Sequence, residues 1–125
     1  MDKKINKPMV SRAIVSKLEH ERNPKEIKTN HIVGYNSPGR VSLEKNDEGF
    51  VPDIAAIYEN EIIVYEIELN NKMHVDKWLS FSKYARKNKG SFYLVVPKYL
   101  KEEIKNKLEE KEINAGVITF DTERN

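Results

Sequence analysis

The chain has 125 residues, with 22 Lys or Arg against 20 Asp or Glu for a net charge of +2, and it contains no cysteine. That length suits one domain over residues 1–125 with a single core, and the missing cysteine excludes disulfides, a thiolate nucleophile and a Cys-based zinc site. No apolar run approaches the roughly 18 residues needed to span a bilayer, and the Lys-rich start lacks the apolar segment of a secretory signal, so the sequence reads as cytoplasmic and unattached to membrane.

The modest net charge hides a segregation. By segment it runs +4 over residues 1–30, −6 over 31–71, +5 over 72–89 and −1 over 90–125, so an acidic centre is flanked by basic stretches. A solvated helix face accounts for such basic runs. Basic flanks around an acidic patch also suit a phosphate backbone delivered to a metal site.

In chain order, Pro8 and the Val10, Ile14, Leu18 spacing predict a first helix that Asn23-Pro24 stops. Glu26 to Val33 and Gly39 to Lys45, either side of Tyr35-Asn36-Ser37-Pro38-Gly39, read as a hairpin. Phe50 to Tyr58 and Glu61 to Leu69 are the strongest strand predictions. Asn70-Asn71 offers a cap for a second helix with Val75, Trp78, Leu79, Ser82 and Ala85 on one face, ending at Asn88-Lys89-Gly90. Ser91 to Pro97 has the continuous apolar character of a buried parallel strand. A third helix over Tyr99 to Glu112 and a strand over Ala115 to Phe120 complete an α/β fold: a mixed central sheet, a meander followed by right-handed crossovers, with helices on both faces.

The stretch VPDIAAIYENEIIVYEIELNNK concentrates the chemistry. With Glu59-Asn60 as a two-residue turn, Asp53 falls opposite Glu66, and Asp53, Glu66 and Glu68 gather at one end of an otherwise apolar face. Directly opposed carboxylates repel, and apolar surroundings worsen the repulsion. Relief can come from protonating one acid, from a basic side chain among them, or from a divalent cation, for which oxygen ligands favour Mg²⁺ or Mn²⁺. A register shifted by one residue would instead send the acids to solvent.

Pro52-Asp53, a gap of twelve residues and Glu66-Ile67-Glu68 on the next strand resemble the signature of the PD-(D/E)XK nuclease superfamily, in an element order similar to its core over roughly residues 8–97. Size and layout resemble small Holliday-junction-resolvase-like endonucleases, and the Glu-Ile-Glu-Leu-Asn-Asn-Lys run resembles nuclease-like domains of mobile-element replication proteins. The resemblance implies a restriction-endonuclease-like core and a metal-dependent DNA endonuclease able to act on branched DNA. Asp53, Glu66 and the Ile67 carbonyl would hold Mg²⁺ or Mn²⁺, with Glu21 of the first helix as a further ligand. A homodimer is the arrangement by which resolvase-like enzymes cut two strands.

The superfamily pattern has a lysine where this chain has Glu68. The resemblance therefore implies either a lysine supplied from nearby, Lys72 first and Lys77 second, or a nuclease-fold DNA-binding or accessory domain without catalysis. Glu68 itself could serve as general base or as ligand to a second metal. Lys77, Lys83, Arg86, Lys87 and Lys89 of the second helix are the DNA-contacting candidates, and Tyr84 resembles a tyrosine often found on that helix in related nucleases. Trp78 reads as core, and His31 and His74 as structural.

Overall fold

In the computed structural model, which describes residues 4–42 and 48–122, the first helix begins where Asn6 Oδ1 accepts the Met9 N–H at 2.9 Å. Helix α1 (Lys7–Glu21) carries Pro8 in its first turn, where a missing N–H is harmless. It ends as the Arg22 and Asn23 N–H groups both return to the Leu18 carbonyl, with Asn23 in the left-handed region at φ 47 and Pro24 preventing continuation.

The chain then enters a five-stranded mixed sheet in the order β1-β2-β3-β4-β5. Strands β1 (Glu26–Thr29), β2 (Ile54–Ile57) and β3 (Ile62–Ile67) form an antiparallel meander, while β4 (Phe92–Pro97) and β5 (Gly116–Phe120) are added parallel to β3. Helices α2 (Val75–Lys87) and α3 (Lys101–Glu110), the latter preceded by a 3₁₀ turn over Lys98–Leu100, make the two crossovers. The protein is thus α/β, as its element order predicts.

Side-chain alternation divides the sheet into two apolar layers. Ile54, Ala56, Ile63, Tyr65 and Ile67 pack against Val10, Val15 and Leu18 of α1. Val64, Leu94 and Val96 pack on the other side against Trp78, Phe81 and Ala85 of α2 and Ile104 and Leu108 of α3. Trp78 and Phe81 are fully buried, each stabilising the fold by about 2–3 kcal/mol through removal of apolar area from water. Among the described residues, no helix is long and apolar enough to cross a membrane.

The hairpin expected over Glu26–Val33 and Gly39–Lys45 is replaced by a different pairing. Strand β1 stops at Thr29 and runs along β2, from Glu26 opposite Ile57 to Thr29 opposite Ile54, which buries Ile27 beneath α1. The Thr29 N–H goes to the Asn36 carbonyl, closing a loop where the hairpin would have continued. Of the second arm, the described residues contribute an isolated Val41–Phe50 bridge; positions 43–45 lie outside the described residues.

Helix α2 also starts later than its sequence suggests. Asn70 Oδ1 accepts the Lys72 N–H at 3.0 Å in a local turn, and His74 occupies the N-cap position.

Candidate functional site

The predicted register of the β2–β3 hairpin is the one observed: Ile54 lies opposite Tyr65, Ala55 opposite Val64, and Tyr58 N–H bonds to the Glu61 carbonyl across the Glu59-Asn60 turn. One step beyond the ladder, the Asp53 N–H donates to Glu66 Oε1 at 3.1 Å and the Ile67 N–H donates to Asp53 Oδ2 at 2.8 Å. Pro52, which would face Ile67 in this register, has no N–H to return, so the ladder's alternation leaves the Ile67 carbonyl at the strand end without that donor. Sequence thus brings the two carboxylates to one place.

Asp53, Glu66 and Glu68 are 6%, 1% and 4% exposed. Two lysines compensate them. Lys7 Nζ, from the first turn of α1, lies 3.0 Å from Asp53 Oδ2 and 3.7 Å from Glu66 Oε2. Lys77 Nζ, from the first turn of α2, lies 2.6 Å from Glu66 Oε2 and 3.8 Å from Glu68 Oε2. Both lysines stand in the first turn of their helices.

Two histidines complete the cluster. His31 Nε2 is 2.7 Å from Asp53 Oδ1, and His74 Nδ1 is 3.1 Å from Glu68 Oε2, which also accepts the Trp78 indole N–H at 2.8 Å. Both histidines, which the sequence leaves without partners, contact the buried acids.

Burial, reinforced by the adjacent Asp53 charge and only partly offset by Lys77 and Lys7, pushes the Glu66 carboxyl up to about 7. Burial would raise Asp53 as well. The Lys7 charge, the His31 contact and the Ile67 N–H outweigh it and hold that carboxyl below its ordinary value. Burial lowers Lys7, but Asp53 and Glu66 more than reverse this and leave its ammonium more basic than usual.

The other predicted positions separate from this centre. Lys72 is exposed in the connection before α2, and it is Lys77 that the helix turns onto the carboxylates. Glu21 is exposed at the wrong end of α1: the helix presents its start to the acids, and fourteen residues of rise leave Glu21 about 21 Å from Lys7 along the axis. Lys83, Arg86, Lys87 and Lys89 are all exposed along or just beyond α2. Lys87 and Lys89 flank the Glu59-Asn60 turn at the opposite end of the β2–β3 hairpin, and Lys87 is about 15 Å along the helix from Lys77. Tyr84 is half-buried against the α2-side core.

The donor set is informative about a cation. Among the described residues no three His, Cys, Asp or Glu side chains are arranged to hold a metal ion. Asp53 and Glu66 offer carboxylate oxygen, the hard donor that suits Mg²⁺ or Mn²⁺ rather than Zn²⁺, and both are engaged by lysine ammoniums in this structure. The Lys7 ammonium lies between Asp53 and Glu66 and supplies their counter-charge in this structure.

Comparisons with protein-family models, with curated proteins and with solved structures find no match to this chain.

Proposed function

We propose that this chain is a divalent-metal-dependent DNA endonuclease with a restriction-endonuclease-like core, similar to the PD-(D/E)XK superfamily. The observation that carries the reading is the pair of buried acids at the end of adjacent antiparallel strands, Glu66 accepting the Asp53 N–H and Asp53 the Ile67 N–H, faced by an ammonium from α2. Buried acids opposed in a sheet are costly, and a fold retains them at a functional site more readily than elsewhere.

Asp53, Glu66 and the Ile67 carbonyl would hold Mg²⁺ or Mn²⁺. When bound, such a cation supplies Lewis-acid chemistry, lowering the pKa of water and neutralising charge that develops on a phosphate. Lys77 takes the part of the superfamily lysine from a neighbouring element: its ammonium, beside Glu66, orients the attacking water and stabilises the phosphoryl oxygens by charge-assisted hydrogen bonds. Glu68 is occupied by Trp78 and His74, so its role is to seat the first turn of α2 and with it Lys77. Lys83, exposed further along α2, adds a basic group for the phosphate backbone.

A second reading has its own support. Lys7 and Lys77 already compensate the acids, and Glu68 stands in the lysine position, as in a nuclease-fold DNA-binding or accessory domain without catalysis. One assay separates the two: wild type and Asp53→Ala, each with Mg²⁺ and with Mn²⁺, on supercoiled plasmid and on a four-way junction. Cleavage by the wild type alone supports the endonuclease, and preference for the junction identifies branched DNA as substrate. Cleavage that survives Asp53→Ala would refute this site. Salt-sensitive DNA binding with no product in either metal would favour the accessory domain.

A further inference from the structure

Asp53 has no free acceptor capacity in this structure. Its Oδ1 lies 2.7 Å from His31 Nε2 and 3.2 Å from Lys7 Nζ, while Oδ2 takes the Ile67 N–H at 2.8 Å and lies 3.0 Å from Lys7 Nζ. A carboxylate offers about four lone-pair directions, and all are used. A cation can therefore enter only by displacing one of these groups.

The three groups are not equally displaceable. The Ile67 N–H belongs to a buried strand end and is fixed by the fold. The His31 imidazole, 23% exposed, is less accessible than Lys7 and makes the shortest of these contacts, at 2.7 Å. Lys7 hangs on a flexible four-carbon stem at the edge of α1 with its side chain 34% exposed, so its head can swing into water without disturbing the helix. Its ammonium also lies 3.7 Å from Glu66 Oε2, between the two carboxylates that would share the cation.

We propose that Lys7 is a built-in competitor for the metal: in the metal-free protein its ammonium takes the cation's place between Asp53 and Glu66, and metal binding requires its expulsion. The inference rests on the metal-site reading above and adds regulation to it. Lys7 holds the empty pair together against its own repulsion and sets a threshold concentration below which the site keeps its internal cation. Lys77 cannot substitute in this role, since its nearest contact is Glu66 and its side chain is the less exposed of the two, at 19%.

Opposite effects on two measurements distinguish competition from simple support of the fold. Lys7→Met should lower the melting temperature of the metal-free protein, because the opposed acids lose their counter-charge, yet bind Mn²⁺ about tenfold or more tightly by titration calorimetry, because like-charge repulsion of the incoming ion is gone. Lys17→Met makes the same change in net charge on the exposed side of α1 and should leave Mn²⁺ affinity close to wild type. If Lys7→Met and Lys17→Met bind Mn²⁺ equally while Asp53→Asn abolishes binding, the competitor role is wrong and the metal site stands. If neither the wild type nor Lys7→Met binds Mn²⁺, both fall.

Should Lys7→Met fail to fold, the wild type carries the test. Mg²⁺ should speed acylation of Lys7 by an amine-reactive reagent several-fold relative to Lys17, read by peptide mass spectrometry, and the increase should vanish in Asp53→Asn. An unchanged Lys7 rate in protein that binds Mg²⁺ would overturn the proposal.

Discussion

Lys77 Nζ stands 2.6 Å from Glu66 Oε2 and 3.8 Å from Glu68 Oε2, so the first turn of α2 inserts one ammonium between two buried carboxylates of β3 and its extension. Lys77→Met keeps the length of the side chain and removes its charge. It should destabilise the protein by about 2 kcal/mol or more, since a buried acid loses its nearest partner. With Mg²⁺ it should reduce cleavage about 100-fold, mainly in kcat. Lys77→Arg should recover stability better than rate, because the planar guanidinium cannot reproduce the point contact of an ammonium. Full activity in Lys77→Met would remove Lys77 from the mechanism.

Glu66 makes stability depend on pH in a definite direction. Its carboxyl, at about 7 in the folded protein against an ordinary 4.5, binds a proton more readily folded than unfolded. Its contribution is therefore fully present below about pH 4.5 and is lost as pH rises through 7, by about 3 kcal/mol in total. Asp53, held below its ordinary value, works the opposite way: its contribution is present above that value and is lost as pH falls through the lowered one. Chemical denaturation with chelator present should show wild-type stability falling between pH 5 and pH 7.5. Glu66→Gln should flatten that fall, and an unchanged slope in the variant would show that another group sets it.

Gly90 closes the turn from α2 into β4, its N–H bonded to the Ala85 carbonyl at 2.8 Å. A Cβ there would collide with the backbone carbonyl of Ile62 at the start of β3, which cannot move without breaking the pairing of the strand that carries Glu66. Gly90→Ala should cost about 3 kcal/mol. At Gly34, with open space around the added carbon and φ at 99, alanine meets only backbone strain and should cost less. Thermal melts of the two variants give the order directly.

Much of this fold is legible locally. A two-residue turn at Glu59-Asn60 and strict alternation along Val51 to Leu69 are enough to place Asp53 against Glu66 and to assign every side chain of β2 and β3 to its face. The apolar stripe of α2 and the continuous apolar run of β4 are equally plain, because period and burial are written in neighbouring residues. The first hairpin is misread for the same reason: β-branched residues announce a strand but not its partner, and β1 runs instead along the edge of β2 with Ile27 buried against α1.

The carboxylate pair is thus a property of the sequence, while its company is a property of the tertiary structure. Lys7 reaches Asp53 across 46 positions and His31 across 22, separations at which no periodicity relates one residue to another. Which end of α1 meets the sheet, and hence whether Lys7 or Glu21 faces the acids, depends on the direction in which the helix packs across β2 and β3. The Val10, Val15 and Leu18 stripe fixes the buried face of α1 but not that direction. Long-range packing alone decides which cation arrives.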